Sequence, residues 1–384
     1  MTISQIIDAL IEKNLADIIK LRHEIHQEPE IHFNEFKTRA KIDAAIKALN
    51  LDIKEPLLGT DLIAELNVGA TKSILLRADI DALPIHEETE VFYKSKIPGM
   101  MHACGHDGHT SIMVATAKVL SELKDQLKVN VRFVFQPAEE MQCGGAQLVN
   151  AGACEGVEAA FALHGWPGLP VNSISTKSGA LFAAADFYRM TVEGIGGHAA
   201  MPELNANPIP VAAELALDIQ KLNDELNLEN GSIISLSKFH GGSASNVTPD
   251  KVIIEGTIRY LESGIDDRVK QELGALASRF SKGSFKVTSF YQSLYNQPVI
   301  NDVEKTEYFK KTIQENMPDC YIEADKPTMC AEDFAFYLKA VPGTMFWLGL
   351  GEDWPGLHTN KFDFNDRTIP LAVKTFSLLA LNYE

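Results

Sequence analysis

The pattern of apolar residues along the chain changes character near residue 185, and this change limits the folds that the chain can adopt. Before that point, short apolar runs such as Leu62–Leu66 alternate with helical patterns such as the one at residues 110–123. Such alternation is typical of a largely parallel sheet with helices packed on it. From about residue 185 to residue 292 the order becomes β-α-β-β-α-β, the order of a ferredoxin-like unit. After Pro298 the earlier α/β pattern returns.

These patterns predict two domains, one inserted into the other. We expect a mixed, largely parallel α/β sheet flanked by helices, built from residues 1–184 and 293–384. Residues 185–292 are expected to form an inserted ferredoxin-like α+β domain. The length of 384 residues leaves room for two cores, since a typical domain has roughly 150 residues.

Charge and hydropathy exclude two classes of partner. The chain has 52 acidic and 35 basic side chains, a formal net charge of −17, and would repel a phosphate backbone, so no nucleic acid is expected. No apolar run approaches the ~20 residues that span a bilayer, and the first residues lack the pattern of a signal peptide. We therefore expect a cytoplasmic protein with no membrane partner.

Five cysteines, an odd number in a long chain, argue against a disulfide framework.

The densest group of candidate metal ligands lies at residues 101–109 (MHACGHDGH). Cys104 and His106 are two residues apart beside Gly105, so a thiolate and an imidazole on a tight turn can face one ion. Three further segments that follow predicted strands supply more donors. These are Glu139 and Glu140, His164, and His358. If the sheet is parallel, the carboxyl ends of its strands meet at one edge and these segments converge there.

The number of donors favours two metal ions. Cys104, His106, His164, His358 and one of the two adjacent glutamates make five ligands, more than one structural zinc ion needs. Two ions that share a ligand polarise a carbonyl and activate water, which predicts hydrolysis. The second glutamate would then be the general base. The residues themselves leave open which glutamate has which role.

Asp79 ends another predicted strand, in the segment 77–81 (RADID). We expect its carboxylate to hydrogen-bond a ligand imidazole from behind, which fixes the tautomer of the ring and raises its basicity.

Six short motifs are recognisable as a set. They are 77–84 (RADIDALP), 101–107 (MHACGHD), 137–140 (PAEE), 196–202 (GGHAAMP), 331–334 (AEDF) and 362–366 (FDFND). Together they resemble the amidohydrolase branch of the aminoacylase and carboxypeptidase superfamily of di-metal peptidases. That branch includes hippurate hydrolase, indoleacetyl-amino-acid hydrolase and N-acetyldiaminopimelate deacetylase. The resemblance runs in order from about residue 20 to the C-terminus.

The resemblance implies a metal-dependent amidohydrolase that cleaves the amide bond of N-acyl amino acids, such as N-acetyl or N-benzoyl derivatives, or of small peptides. It implies two divalent ions, zinc, manganese or nickel, in a catalytic domain of the di-metal exopeptidase type. Matched position by position, Glu139 resembles the general base and Asp79 the supporting aspartate. The residues that resemble the metal ligands are Cys104, His106, Glu140, His164 and His358.

The resemblance also gives roles to residues of the inserted domain. His198 resembles a histidine that, in dimeric relatives, reaches the active site of the partner subunit and stabilises the oxyanion. Asn246 and Arg259 resemble substrate contacts, and an arginine fork suits a carboxylate. The resemblance also implies that the inserted domain is a lid domain. We therefore expect a homodimer, or a higher homo-oligomer, that forms through this lid domain.

Other readings of the same residues remain open. The site could act as a dipeptidase or carboxypeptidase on small peptides. Cys104 could instead be the nucleophile of a thiol amidase, with His106 or His109 as its base; that reading leaves four candidate ligands unexplained. A hydrolase fold that only binds a metal or a peptide is the alternative outside the enzymes.

Overall fold

A computed structural model describes the backbone of residues 1–384 and the side chains of all of them except residues 228 and 230. The chain divides into a larger unit, Met1–Leu181, Ile300–Lys326 and Asp333–Glu384, and a smaller unit, Phe182–Val299 and Pro327–Glu332. The main segment of the smaller unit is close to the expected residues 185–292. The short piece Pro327–Glu332 was expected in the larger domain.

Helices and strands are numbered along the chain. The helices are α1 (Ile3–His26), α2 (Phe36–Ile46), α3 (His106–Glu122), α4 (Glu139–Gln142), α5 (Gly144–Asn150), α6 (Pro208–Asn230), α7 (Ile265–Phe280), α8 (Val303–Asn316), α9 (Phe334–Ala340) and α10 (Ile369–Asn382). The strands are β1 (Asp52–Ile53), β2 (Leu62–Leu66), β3 (Ser73–Asp79), β4 (Asn130–Gln136), β5 (Ala159–Pro167), β6 (Ile174–Thr176), β7 (Gly179–Phe182), β8 (Ala184–Glu193), β9 (Gly197–His198), β10 (Ile233–Ile234), β11 (Lys238–His240), β12 (Val247–Thr248), β13 (Lys251–Tyr260), β14 (Lys286–Tyr295), β15 (Val299–Asn301), β16 (Tyr321–Glu323) and β17 (Gly343–Gly351).

The sheet of the larger unit has the order β1-β2-β4-β3-β5-β17-β6-β16. Its four central strands, β4, β3, β5 and β17, are parallel to their neighbours within that group. Antiparallel pairs add β2 to one side of this group and β6 to the other. The expected mixed, largely parallel sheet is confirmed. Every residue of β17 is buried, as is usual for a parallel strand covered on both faces.

Helices α1, α3 and α10 pack on one another in the main core. Helix α1 begins at a capping box, in which Thr2 Oγ1 accepts from the N–H of Gln5 and Gln5 Oε1 accepts from the N–H of Thr2. Its buried side chains, including Ile7, Ile18 and Ile25, recur at helical spacing. Among the described residues, no helix combines the length and the apolarity needed to cross a bilayer.

The smaller unit has a sheet in the order β10-β13-β8-β14, with β11 also pairing with β13. Helices α6 and α7 pack on this sheet. The order of helices and strands along the chain confirms the expected ferredoxin-like inserted domain. The apolar run at residues 233–239, which predicts a single strand, is interrupted and forms β10 and β11. The reason lies at Ser235, whose side-chain Oγ accepts from the N–H of Thr257 at 3.0 Å, where an uninterrupted strand would use a backbone carbonyl.

A buried arginine ties the first helix to the segment before the last one. Arg22 belongs to α1, and its side chain is fully buried. Its Nη1 lies 3.0 Å from Asp107 Oδ2 and 3.1 Å from Asp363 Oδ1. Its Nε lies 2.5 Å from Asp366 Oδ1. Three carboxylates from two distant parts of the chain thus share one guanidinium, and Asp107 belongs to the first turn of α3.

We expect Arg22→Met to lower the free energy of unfolding of the larger unit by about 3–5 kcal/mol, because it leaves Asp107 buried without its arginine partner. Denaturant unfolding followed by tryptophan fluorescence measures this, since Trp166, Trp347 and Trp354, the three tryptophans of the chain, all lie in the larger unit. Lys20→Met is the matched control on the same helix. Lys20 is exposed and, among the side chains that the structure describes, forms an ion pair only with Glu24, 3.8 Å away. The control should therefore change stability by less than about 0.5 kcal/mol. Equal effects of the two substitutions would contradict the assigned role of Arg22.

Candidate metal centre

The loop before α3 turns sharply at Gly105, whose backbone is left-handed with φ +91°. This turn makes His106 the first residue of α3. Glycine is also required for packing, because a Cβ at residue 108 would lie 2.4 Å from the ring of Phe364, and one at residue 105 would lie 3.0 Å from it. The close approach of Phe364 therefore fixes the loop that carries Cys104 and His106.

All five predicted ligands lie together in the larger unit. Donor atoms of Cys104, His106 and His164 lie within 4.8 Å of one another, and so do those of Cys104, Glu140 and His358. The Sγ of Cys104 is 3.4 Å from His164 Nε2 and 3.2 Å from His358 Nε2. The two groups share the thiol, which is the arrangement expected for two ions with a common ligand. His164 was expected to follow the end of its strand, and this was wrong. It lies within β5, which continues to Pro167.

The donors fit divalent ions by two further observations. His106 Nε2 is buried and has no hydrogen-bond partner among the described residues, although it lies 3.8 Å from Glu140 Oε1. A buried polar atom without a partner is costly unless something else, such as a cation, satisfies it. Thiolate, imidazole and carboxylate together are ligands that zinc and similar borderline ions accept.

The pKa directions describe a site that needs positive charge. Burial and the nearby carboxylates of Glu140 and Glu139 raise the pKa of the Cys104 thiol well above its usual range. Burial and the neighbouring His109 lower the pKa of His164, which favours the neutral ring that binds metals. Although burial opposes it, the charge of Asp79 and the hydrogen bond to Asp81 raise the pKa of His106 to about 10. Bound cations would stabilise the thiolate and displace the proton of His106.

The aspartate that supports a ligand imidazole is Asp81, whereas Asp79 was expected in this position. His106 Nδ1 lies 3.1 Å from Asp81 Oδ1 and 3.0 Å from the Asp81 backbone oxygen. The other carboxylate oxygen of Asp81 accepts from the N–H of Glu140 at 3.1 Å. Asp79 Oδ2 lies 3.7 Å from His106 Nε2, beyond hydrogen-bond distance. One carboxylate thus orients two of the predicted ligands.

Asp79 binds His109, a buried histidine that the sequence analysis considered only as the base of a thiol nucleophile. The Nδ1 of His109 lies 2.6 Å from Asp79 Oδ1, and its Nε2 accepts from the N–H of Gly165 at 2.9 Å. Since a backbone N–H can only donate, these bonds fix the neutral tautomer with the proton on Nδ1. His109 therefore connects Asp79 on β3 with the residue that follows His164 on β5.

A second buried network lies behind the two glutamates. Arg77 Nη1 is 2.6 Å from Asp79 Oδ2, and Arg77 Nη2 is 2.7 Å from Asp333 Oδ1. Asp333 also accepts from the N–H of Gly145 at 2.7 Å and from the side-chain amide of Gln136. Arg77 and Asp333 both belong to recognised motifs, and the sequence gave no other signal for either residue. The network binds the chain before and after Glu139 and Glu140, at Gln136 and at Gly145.

Glu139 begins the short helix α4 and is buried. The N–H of Asp333 lies 3.4 Å from its Oε1. Its carboxylate lies within 4.8 Å of donor atoms of His106 and Glu140. Glu139 is therefore beside the candidate ligands, and the two groups that share Cys104 form without it.

The remaining predicted residues lie in the smaller unit. His198, on β9, is exposed, and its Nδ1 accepts from the N–H of Ala200 at 3.1 Å. Asn246 is next to β12, the strand that pairs with β9, and its backbone oxygen accepts from the N–H of Ala199. Arg259 lies on β13, and burial lowers its pKa.

Comparisons with known proteins agree with this geometry. The family model described as peptidase family M20/M25/M40 matches residues 75–382. The chain is 36% identical to the N-acetyl-L-cysteine deacetylase of Bacillus subtilis over 92% of this chain and 84% of that protein. It is 31% identical to the IAA-amino acid hydrolase ILR1-like 4 of Arabidopsis thaliana, over 95% and 85%. A solved structure of the Bacillus subtilis YXEP protein, described as a dinuclear metal-binding peptidase of the M20 family, superposes with a TM-score of 0.85 at 29% identity, covering 96% of this chain and 98% of that one.

We expect Asp81→Asn to weaken Zn²⁺ binding by about 10–100-fold. An asparagine can offer its oxygen to His106 or to the N–H of Glu140, and its NH₂ group then faces the other donor. Competition with a chromogenic chelator measures the affinity. Asp61→Asn is the matched control, because Asp61 is also buried and accepts N–H bonds from Leu57 and Leu58 in a separate turn. An unchanged Zn²⁺ affinity in Asp81→Asn would contradict the assigned role.

Proposed function

We propose that this chain, which belongs to peptidase family M20/M25/M40, hydrolyses N-acyl amino acids with Glu139 as the general base. The chain is a metal-dependent amidohydrolase that cleaves the amide bond of such substrates. The roles of individual residues, the identity of the ions, the assembly and the location are the parts that we propose.

The observation that carries the proposal is the pair of donor groups that share the Cys104 thiol. Cys104, His106, Glu140, His164 and His358 would hold two divalent ions, which we propose to be zinc, manganese or nickel. When bound, such ions polarise a carbonyl and make water nucleophilic near neutral pH.

Glu139 is suited to the proton transfers. Its carboxylate is buried beside the ligands, and the N–H of Asp333 orients one of its oxygens. A carboxylate there can accept a proton from the attacking water and deliver it to the leaving amine. Glu140 is suited to be a ligand, because its Oε1 lies 3.2 Å from His358 Nε2.

The environment of Cys104 argues against a thiol nucleophile. A catalytic cysteine needs a lowered pKa, whereas burial and the surrounding carboxylates raise the pKa of this thiol. A nucleophile role would also leave the two donor groups that share this sulfur unexplained.

The smaller unit is proposed to complete the site in a homodimer. His198 would stabilise the oxyanion in the partner subunit through Nε2, since the ring is exposed and its Nδ1 accepts from the N–H of Ala200. Asn246 and Arg259 would contact the substrate, with the guanidinium binding its carboxylate. A cytoplasmic location completes the proposal.

We expect Glu139→Gln to lower kcat at least 100-fold while two ions remain bound, since the amide cannot accept the proton of water. Glu140→Gln, one residue away, should instead lower the metal content. Turnover is measured on N-acetyl, N-benzoyl and longer acyl amino acids and on dipeptides, and metal content by plasma emission spectroscopy. Near-normal turnover of Glu139→Gln would contradict the role of Glu139. Failure of the intact protein to turn over the whole panel with zinc, manganese or nickel supplied would favour a binding protein.

Mixing two inactive variants tests whether His198 acts in the partner subunit. His198→Ala and Glu139→Gln should each be inactive alone, and subunit exchange should restore up to about a quarter of wild-type activity. The reason is that half of the exchanged dimers are mixed, and one of their two sites has both intact residues. His240→Ala, which removes another exposed histidine of the smaller unit, should remain active. If the exchanged mixture stays inactive, His198 does not act across subunits.

A further inference from the structure

The segment that carries the two glutamates begins with a conformation that an alanine rarely adopts. Ala138, directly before Glu139, has φ +54° and ψ +41° and is fully buried. For a residue with a Cβ this left-handed region is unfavourable, so it persists only where the surroundings hold it. The direction in which Glu139 leaves the strand depends on this residue.

A carboxylate from a distant part of the chain holds Ala138. Glu35, at the start of α2, is fully buried, and its Oε1 lies 3.2 Å from the backbone nitrogen of Ala138 and 3.2 Å from that of Phe33. Its other oxygen accepts from the hydroxyl of Thr60 at 2.9 Å. The site described above does not include Glu35, which lies 103 residues before Ala138.

The same segment is held at three further points. The N–H of Gly144 donates to the carbonyl of Ala138 at 3.0 Å. The N–H groups of Glu140 and Gly145 donate to Asp81 and Asp333. Glu35 differs from these contacts because it is a side chain that accepts from the N–H of Ala138, the residue immediately before Glu139, whereas Gly144 binds the carbonyl of Ala138.

We propose that Glu35 is a positioning residue of the hydrolytic site, which acts through the N–H of Ala138 to orient Glu139. This inference rests on the proposed function, in which Glu139 is the general base. Glu35 acts by accepting hydrogen bonds at the right distance, and its charge is not needed. Burial raises the pKa of Glu35 to about 7, which agrees with a carboxyl group whose neutral form is readily reached.

Two substitutions distinguish the effect of the length of the Glu35 side chain from the effect of its negative charge. Glu35→Gln keeps the length of the side chain: its oxygen can accept from Ala138 and Phe33, and its NH₂ can donate to the Thr60 hydroxyl. Glu35→Asp keeps the charge and withdraws the oxygens from Ala138 by about one carbon–carbon bond. Glu30→Asp is the matched control, because Glu30 accepts from the N–H of Lys37 and from Thr38 at the start of the same helix.

We expect Glu35→Asp to lower kcat about 10–100-fold with KM changed less than about 3-fold, since a general base displaced by a fraction of an ångström is inefficient. Glu35→Gln and Glu30→Asp should stay within about 3-fold of wild type. Backbone hydrogen exchange followed by mass spectrometry supplies a readout that does not depend on turnover. Peptides that cover residues 136–145 should exchange faster in Glu35→Asp and at the wild-type rate in the other two variants. The opposite order, with Glu35→Gln impaired and Glu35→Asp normal, would overturn the proposal.

A double substitution distinguishes positioning from general damage. If Glu35 acts through Glu139, adding Glu35→Asp to Glu139→Gln should lower the residual activity no further. A further loss equal to that of Glu35→Asp alone would overturn the proposal. Full activity of Glu139→Gln would overturn the proposed function itself, while the exchange of residues 136–145 would still decide whether Glu35 holds the segment.

Discussion

The site depends on the parallel pairing of β3 with its neighbours β4 and β5. This pairing brings the ends of the three strands to one edge, where Asp79, the segment after Gln136, and His164 meet. The adjacent strand β17 is parallel to β5 and extends the same edge. An antiparallel neighbour in the middle of the sheet would send one of these segments to the opposite edge. The donors come from segments far apart in the chain and converge because of strand direction.

Convergence alone would leave several carboxylates buried beside one another. The structure offsets their repulsion with hydrogen bonds and with the positive charge of Arg77. Asp81 is satisfied by His106 and by the N–H of Glu140. Asp79 is satisfied by His109 and Arg77. Because Asp81 and Asp79 are each fixed by a second bond, the rings of His106 and His109 have little freedom to rotate. Such preorganisation lowers the entropy that binding or catalysis would otherwise lose.

The sequence predicted the elements with strong local signals and missed those that depend on distant partners. Strand β2 matches its apolar run at both ends. The five predicted ligands lie together because strand order places them at one edge of the sheet. The interchange of Asp79 and Asp81 was not foreseeable, because Asp79 ends β3, Asp81 follows two residues later, and only the position of His106 distinguishes them. Glu35 has no local signal at all, since its partner Ala138 is identified by backbone conformation and not by residue type.

Arg22 bears on the order in which the protein can mature. Its guanidinium joins α1 to Asp363, which is 341 residues later in the sequence. Contacts of such long separation carry a large loop-closure entropy and slow folding. A chain still emerging from the ribosome has made the Cys104 loop long before it has made Asp363, β17 or His358. The ion-binding site therefore cannot be complete until His358 has been synthesised, and a growing chain exposes its thiol and imidazoles without the scaffold that holds them in place.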